Sequence, residues 1–160
     1  VWMFESPTYG RLTLDEVAER IQAALSHHPN DEFRLIIGSD SQPKPQAHHV
    51  SFVTAIILHH VGKGAQYFIH REQLMHMESL RQRMFTEASY SLQVGGMLFE
   101  ALPALPQRLR VEVHLDIGER GATHHMIREI VAWITSSGYE ARIKPDSYGA
   151  SKVADRYTKS

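Results

Sequence analysis

Leu35-Ile36-Ile37-Gly38-Ser39-Asp40-Ser41-Gln42 is a run of buried-strand residues that ends in a carboxylate. Large apolar residues in succession suit a strand covered on both faces. The polar end and Pro43 mark where it stops. Period-2 alternation puts Asp40 on the same face as Ile36 and Gly38. A carboxylate there is costly unless it is paired or binds a metal. Taken alone, it reads as an Asp that caps the loop toward Pro43.

Outward from this strand, Val50 to His60 reads as a second strand and Ala65 to Ile69 as a third, with Gly62-Lys63-Gly64 as the hairpin turn between them. A helix is predicted over Ser79 to Leu102, stopped by Pro103 and Pro106. Leu109 to Ile117 reads as a fourth strand and Thr123 to Ser137 as a helix with Met126, Ile127, Ile130, Val131 and Ile134 inward. Gly138 stops that helix, Tyr139 to Ile143 forms a fifth strand, and a last helix occupies Ser147 to about Thr158. Upstream, residues 1–12 are aromatic and turn-rich. Thr13 to Leu25 reads as a helix opened by a Thr13/Glu16 capping box. The expectation is one domain over 1–160, with 1–34 an N-terminal extension carrying one helix. Its class is three-layer α/β, built on a mixed five-stranded sheet of an antiparallel meander plus parallel strands.

Further carboxylates stand where none is needed for folding. On the long helix, at 100° per residue, Glu87 falls in the stripe of Leu80, Met84, Ser91, Gly95, Leu98 and Leu102. A reach to water from the stripe edge is its bland alternative, and Gly95-Gly96 argues for close packing of this helix. Asp116 ends the fourth strand, alternating with Glu112 and His114 against Val111, Val113 and Leu115. As a lone residue it reads as one on the polar face of a half-exposed strand. Asp146 follows the fifth strand, where it can serve as an N-cap, and Asp155 lies in the last helix off its apolar stripe. In an unbroken helix those two project about 180° apart, so both do not line one site. The set is stronger than its members, because sites in open α/β sheets lie beyond the carboxyl ends of strands.

The composition narrows the options. A net charge of −1 gives no global field toward nucleic acid, so any such contact needs a local patch. The absence of cysteine excludes a disulfide framework and thiolate zinc sites, and fits a cytoplasmic setting. No secretory pattern and no membrane-spanning apolar run are read, so no membrane partner is expected.

The order of elements, with an Asp ending the first strand, a Glu on the first crossover helix, an Asp ending the fourth strand and an Asp in the last helix, resembles the ribonuclease H-like nuclease superfamily. More narrowly, Ile37-Gly38-Ser39-Asp40-Ser41-Gln42, His114-Leu115-Asp116-Ile117-Gly118 and Ile143-Lys144-Pro145-Asp146-Ser147-Tyr148 are similar to the uncharacterised YkuK-type bacterial family. The resemblance spans nearly the whole chain. It implies a ribonuclease H-like fold and two Mg²⁺ or Mn²⁺ ions held by Asp40, Glu87 and Asp116. Asp155 would be the fourth carboxylate, or Asp146, which sits where some members place a loop His. The implied activity is metal-dependent hydrolysis of phosphodiester bonds in nucleic acid, whether RNA, DNA or hybrid.

Mg²⁺ prefers oxygen ligands, so carboxylates suit such a site. Lys144, Lys152 and Arg156 form, with Lys159, a basic cluster that could grip phosphates, or else a charge-balanced surface helix. Ser39 and Ser41 could hydrogen-bond to Asp40 and fix its rotamer. Two rival classes stand beside the nuclease. A non-catalytic adaptor for nucleic acid or protein fits the near-neutral charge, but retention of like charges at every expected position speaks against it. Eleven histidines, several in doublets, raise transition-metal binding, yet no HExxH or comparable spacing supports it.

Overall fold

The computed structural model of the chain describes residues 2–77, 79–102, 109–115, 124–143, 153 and 157. The strands are β1 (Met3–Ser6), β2 (Gly10–Thr13), β3 (Phe33–Lys44), β4 (His49–His60), β5 (Gly64–Met75), β6 (Arg110–His114) and β7 (Glu140–Arg142). The helices are α1 (Leu14–His27), α2 (Leu80–Ala101) and α3 (His124–Ser136), with a short 3-10 turn at Pro45–Ala47.

The strands form one sheet in the order β2-β1-β5-β4-β3-β6-β7. The β3-β4-β5 meander is antiparallel, and β6 and β7 add in parallel to β3. This mixed pattern is the expected one, but the sheet has seven strands rather than five. The additional pair is the β1–β2 hairpin, which joins the outer edge of β5 through Glu5 and Ile69. Its strands have four residues each, too short for a period-2 signal, and Gly10 at φ +74 supplies the turn into β2. β5 also runs six residues past its expected end at Ile69, because His70 to Met75 pair residue for residue with Thr54 to His49.

The central strand β4 is buried on both faces from Phe52 to Leu58, as its unbroken apolar run requires. One face of the sheet receives Val17, Ile21 and Leu25 of α1 and Val94 and Leu98 of α2 against Leu35, Ile37, Ile56 and Phe68. On that same face, Met84 and Ala88 of α2 and Ile127, Ile130 and Ile134 of α3 close over Val113. The opposite face carries Ile36, Val53, Ala55, Ile57 and Ile69, against which Val153 and Tyr157 pack.

Local chemistry sets the helices. Thr13 and Glu16 form the capping box of α1, with the Glu16 amide donating to Thr13 Oγ1 at 3.2 Å and the Thr13 amide to Glu16 Oε1 at 3.0 Å. On α2, Met84, Ala88, Ser91, Gly95 and Leu98 are buried, whereas Leu80 at the helix start is exposed. Gly95 is the close approach expected of this helix: a Cβ there would stand 3.0 Å from the Tyr139 ring.

Candidate functional site

The two faces of β3 separate the site's components. Ser39 and Ser41 point toward α2: Ser39 Oγ lies 2.8 Å from Ser91 Oγ, and Ser41 Oγ donates to Glu87 Oε2 at 2.5 Å. Alternation then turns Asp40 to the face of Ile36 and Gly38, opposite α2. Asp40 and Glu87 are both half-buried. They are neighbours through Ser41, which follows Asp40 in the chain and donates to Glu87.

The serines do not fix Asp40 as expected. Ser39 bonds across to Thr54 Oγ1 at 2.9 Å as well as to Ser91. Ser41 joins Glu87 to Arg83, whose Nε donates to Ser41 Oγ at 3.2 Å. The orientation follows from the odd positions of β3 facing the helices, which sequence periodicity alone could not distinguish from the even ones. Glu87 is therefore the residue that this hydroxyl positions.

The β3–β6 ladder runs from Arg34–Arg110 to Gly38–His114. Asp40 stands two residues past the last of these pairs. Across the antiparallel side it is opposite Val53, which is opposite Arg71. Asp40, Val53 and Arg71 thus form one row across three strands on one face of the sheet. The next row is Gln42, Ser51 and Gln73, and the one after begins with Lys44 and His49. Beside these rows lies a trough of about 550 Å³ whose lining includes Lys44, His49, Arg71, Glu72, Gln73 and Tyr157. Arg71 is anchored there, donating from Nη1 to the Tyr157 carbonyl at 3.2 Å. No single segment announces this trough, because its residues come from three strands and one later element.

Below Asp40 on the same face, Glu112 and His114 are buried rather than half-exposed. Arg34 explains the difference. Its Nε and Nη2 donate to Glu112 Oε2 and Oε1 at 2.7 and 2.6 Å, a bidentate pair. His114 Nε2 donates to Glu112 Oε1 at 3.1 Å. Burial pushes the Glu112 carboxyl up, but these hydrogen bonds and the Arg34 charge outweigh it and hold it down at about 2. The β3–β6 junction is thereby fixed by an ionised group at neutral pH.

Asp116, Asp146, Asp155, Lys144, Lys152 and Arg156 lie outside the described residues. Among the described residues, one group of three ligating side chains is close enough to share an ion, and it lies elsewhere: His28, Asp31 and His60. No helix among the described residues is long and apolar enough to cross a membrane.

The family model described as Ribonuclease H-like matches residues 16–159. A relative from Bacillus subtilis (strain 168), named Uncharacterized protein YkuK, is 35% identical over 170 residues, covering 99% of this chain and 98% of its own. No solved structure gives a significant match.

Proposed function

The chain belongs to the ribonuclease H-like family, and from that premise we propose that it is a metal-dependent nuclease that hydrolyses phosphodiester bonds of nucleic acid. The observation that carries this reading is the placement of Asp40. It lies beyond the end of the β3–β6 ladder, in one row with Arg71, and next to the serine that anchors Glu87. Carboxylate oxygens are the hard donors that Mg²⁺ and Mn²⁺ select, and Asp40 and Glu87, linked through Ser41, supply that donor chemistry.

In this reading Asp40 and Glu87 are ligands. Asp116, which follows β6 in the chain, is the third. Asp155 or Asp146 completes the set, and Lys144, Lys152 and Arg156 hold phosphates beside it. The bound ions supply an activated water and stabilise the leaving oxygen. The chain's own residues do the rest. Ser41 and Arg83 hold the Glu87 carboxylate in one rotamer. Lys44 and Arg71 outnumber Glu72 in the trough, so a phosphate backbone lying against those two cations would present a phosphodiester to the carboxylates.

The test is cleavage of labelled single strand, duplex, RNA–DNA hybrid and four-way junction with Mg²⁺ or Mn²⁺, by the natural protein and by Asp40→Asn prepared identically. The expected outcome is cleavage by the natural protein and none by the variant, which also loses metal binding at this site. Equal cleavage by both folded proteins, or by neither, overturns the reading, and the second outcome assigns the chain to the adaptor class.

A further inference from the structure

At the far end of the sheet from Asp40, three ligand-bearing side chains converge from separate segments. His28 caps the C-terminus of α1, Asp31 lies in the connection to β3, and His60 is the last residue of β4. Asp31 Oδ2 lies 2.7 Å from His60 Nε2 and 3.5 Å from His28 Nδ1. One donor atom from each residue falls within 4.8 Å of the other two. Asp40 pairs with Val53, and His60 lies seven residues further along β4. That is roughly 24 Å of strand, so the cluster is separate from the carboxylate site.

We propose that His28, Asp31 and His60 bind a first-row divalent transition metal, zinc in the first instance. Two imidazoles and a carboxylate are a recurrent three-ligand set for such ions, which leaves a coordination position open. Ligand atoms at about 2.0–2.1 Å from tetrahedral zinc stand about 3.3 Å from one another. The two separations from Asp31, 2.7 and 3.5 Å, bracket that value, and the third lies within 4.8 Å.

The scaffold holds the ligands before the ion arrives. The His60 ring stacks on Phe33 at 4.3 Å and 20°, and its centroid is 4.7 Å from that of His28. The Asp31 amide donates to the His28 carbonyl at 3.2 Å, closing the turn that brings the two together. A cavity of about 180 Å³ lined by His28, Phe33, His60 and Lys63 gives room for a fourth ligand such as water. Lys63 Nζ is 3.1 Å from Asp31 Oδ2, where it competes with a metal cation. The Lys63 side chain is 60% exposed and can swing into water. A bound ion would tie the end of α1 to the β4–β5 hairpin and so stabilise the folded chain.

The test is titration of the untagged full chain with zinc chloride, followed by calorimetry and by thermal melting, with cobalt chloride as the spectroscopic probe. With the carboxylate site saturated by Mg²⁺, one zinc ion per chain is expected at the histidine cluster, bound equally by the natural protein and by Asp40→Asn, with a rise in melting temperature. Zinc affinity should fall more than about tenfold in His28→Gln and in His60→Gln, and rise in Lys63→Ala. His28 is largely exposed, so its variant keeps the test sound even if His60→Gln does not fold. Unchanged zinc affinity in His28→Gln, or zinc binding lost in Asp40→Asn, overturns the assignment. Asp40→Asn losing cleavage while keeping zinc separates this site from the nuclease reading.

Discussion

Replacing Glu112 by glutamine tests whether the buried charge network at the β3–β6 junction holds the sheet together. The Glu112 side chain is 3% exposed and accepts from both Arg34 and His114. Those partners hold its carboxyl at about 2, from an ordinary 4.5. At about 1.4 kcal/mol per pH unit, the linked stabilisation is about 3 kcal/mol. The sign follows from the direction. The folded carboxyl titrates below the unfolded one, so the unfolded chain takes up the proton first as pH falls. The stabilisation is complete well above pH 4.5 and fades as pH drops toward 2. Roughly 1 kcal/mol of it is gone by about pH 3.5.

The Glu112→Gln variant would keep the shape of the side chain but lose its charge, and Arg34 is exposed enough to turn partly to water. Urea denaturation of the natural protein and Glu112→Gln at about pH 7 should differ by about 3 kcal/mol. The gap should shrink to about 2 kcal/mol at about pH 3.5. Taking the difference between the two proteins removes the contribution of other carboxylates that do not couple to Glu112. A gap that is already absent near neutral pH, or that stays constant down to about pH 3.5, refutes the reasoning. The ion pair would then be offset by its own desolvation.

Ser41→Ala removes the hydroxyl between Arg83 and Glu87. Mn²⁺ affinity at the carboxylate site should fall about 10- to 100-fold while the fold is retained, as a calorimetric titration would read, and an unchanged affinity would show that Glu87 is not a ligand. Lys44→Ala and Arg71→Ala each remove a cation from the trough. Binding of duplex or hybrid should weaken uniformly across sequences, and the slope of log affinity against log salt should become shallower by about 1 per residue. Anisotropy titrations over a salt series would measure this, and an unaltered slope places the nucleic acid elsewhere.

What was legible in the sequence depended on whether the deciding contacts were local. The β3-β4-β5 meander, α2 and the β6–α3–β7 unit could be read because hydrophobic period, turn glycines and proline stops are properties of one segment. Glu87 could be placed within the buried stripe of α2 because helical period is local too. The β1–β2 hairpin could not be read, since four-residue strands rely on the edge of β5 for their pairing. Nor could the role of Ser41, because alternation fixes which residues share a face and leaves open which face meets the helix.

The same limit explains Glu112 and the histidines. Polar residues alternating on β6 predict an exposed face, yet Glu112 is buried there and pairs with Arg34, 78 positions away. His28 and His60 were visible as members of doublets, but a ligand set needs three directions in space, and Asp31 gains its meaning from the turn that returns α1 toward the end of β4. A charged side chain on a strand can therefore be read from sequence as out of place well before its partner can be named. Asp40 is such a residue. Its row partners Val53 and Arg71 follow only from the register of three twelve-residue strands. That register places a cation two strand spacings from the carboxylate, roughly 10 Å along one row of the sheet, a relation that no single segment of the sequence contains.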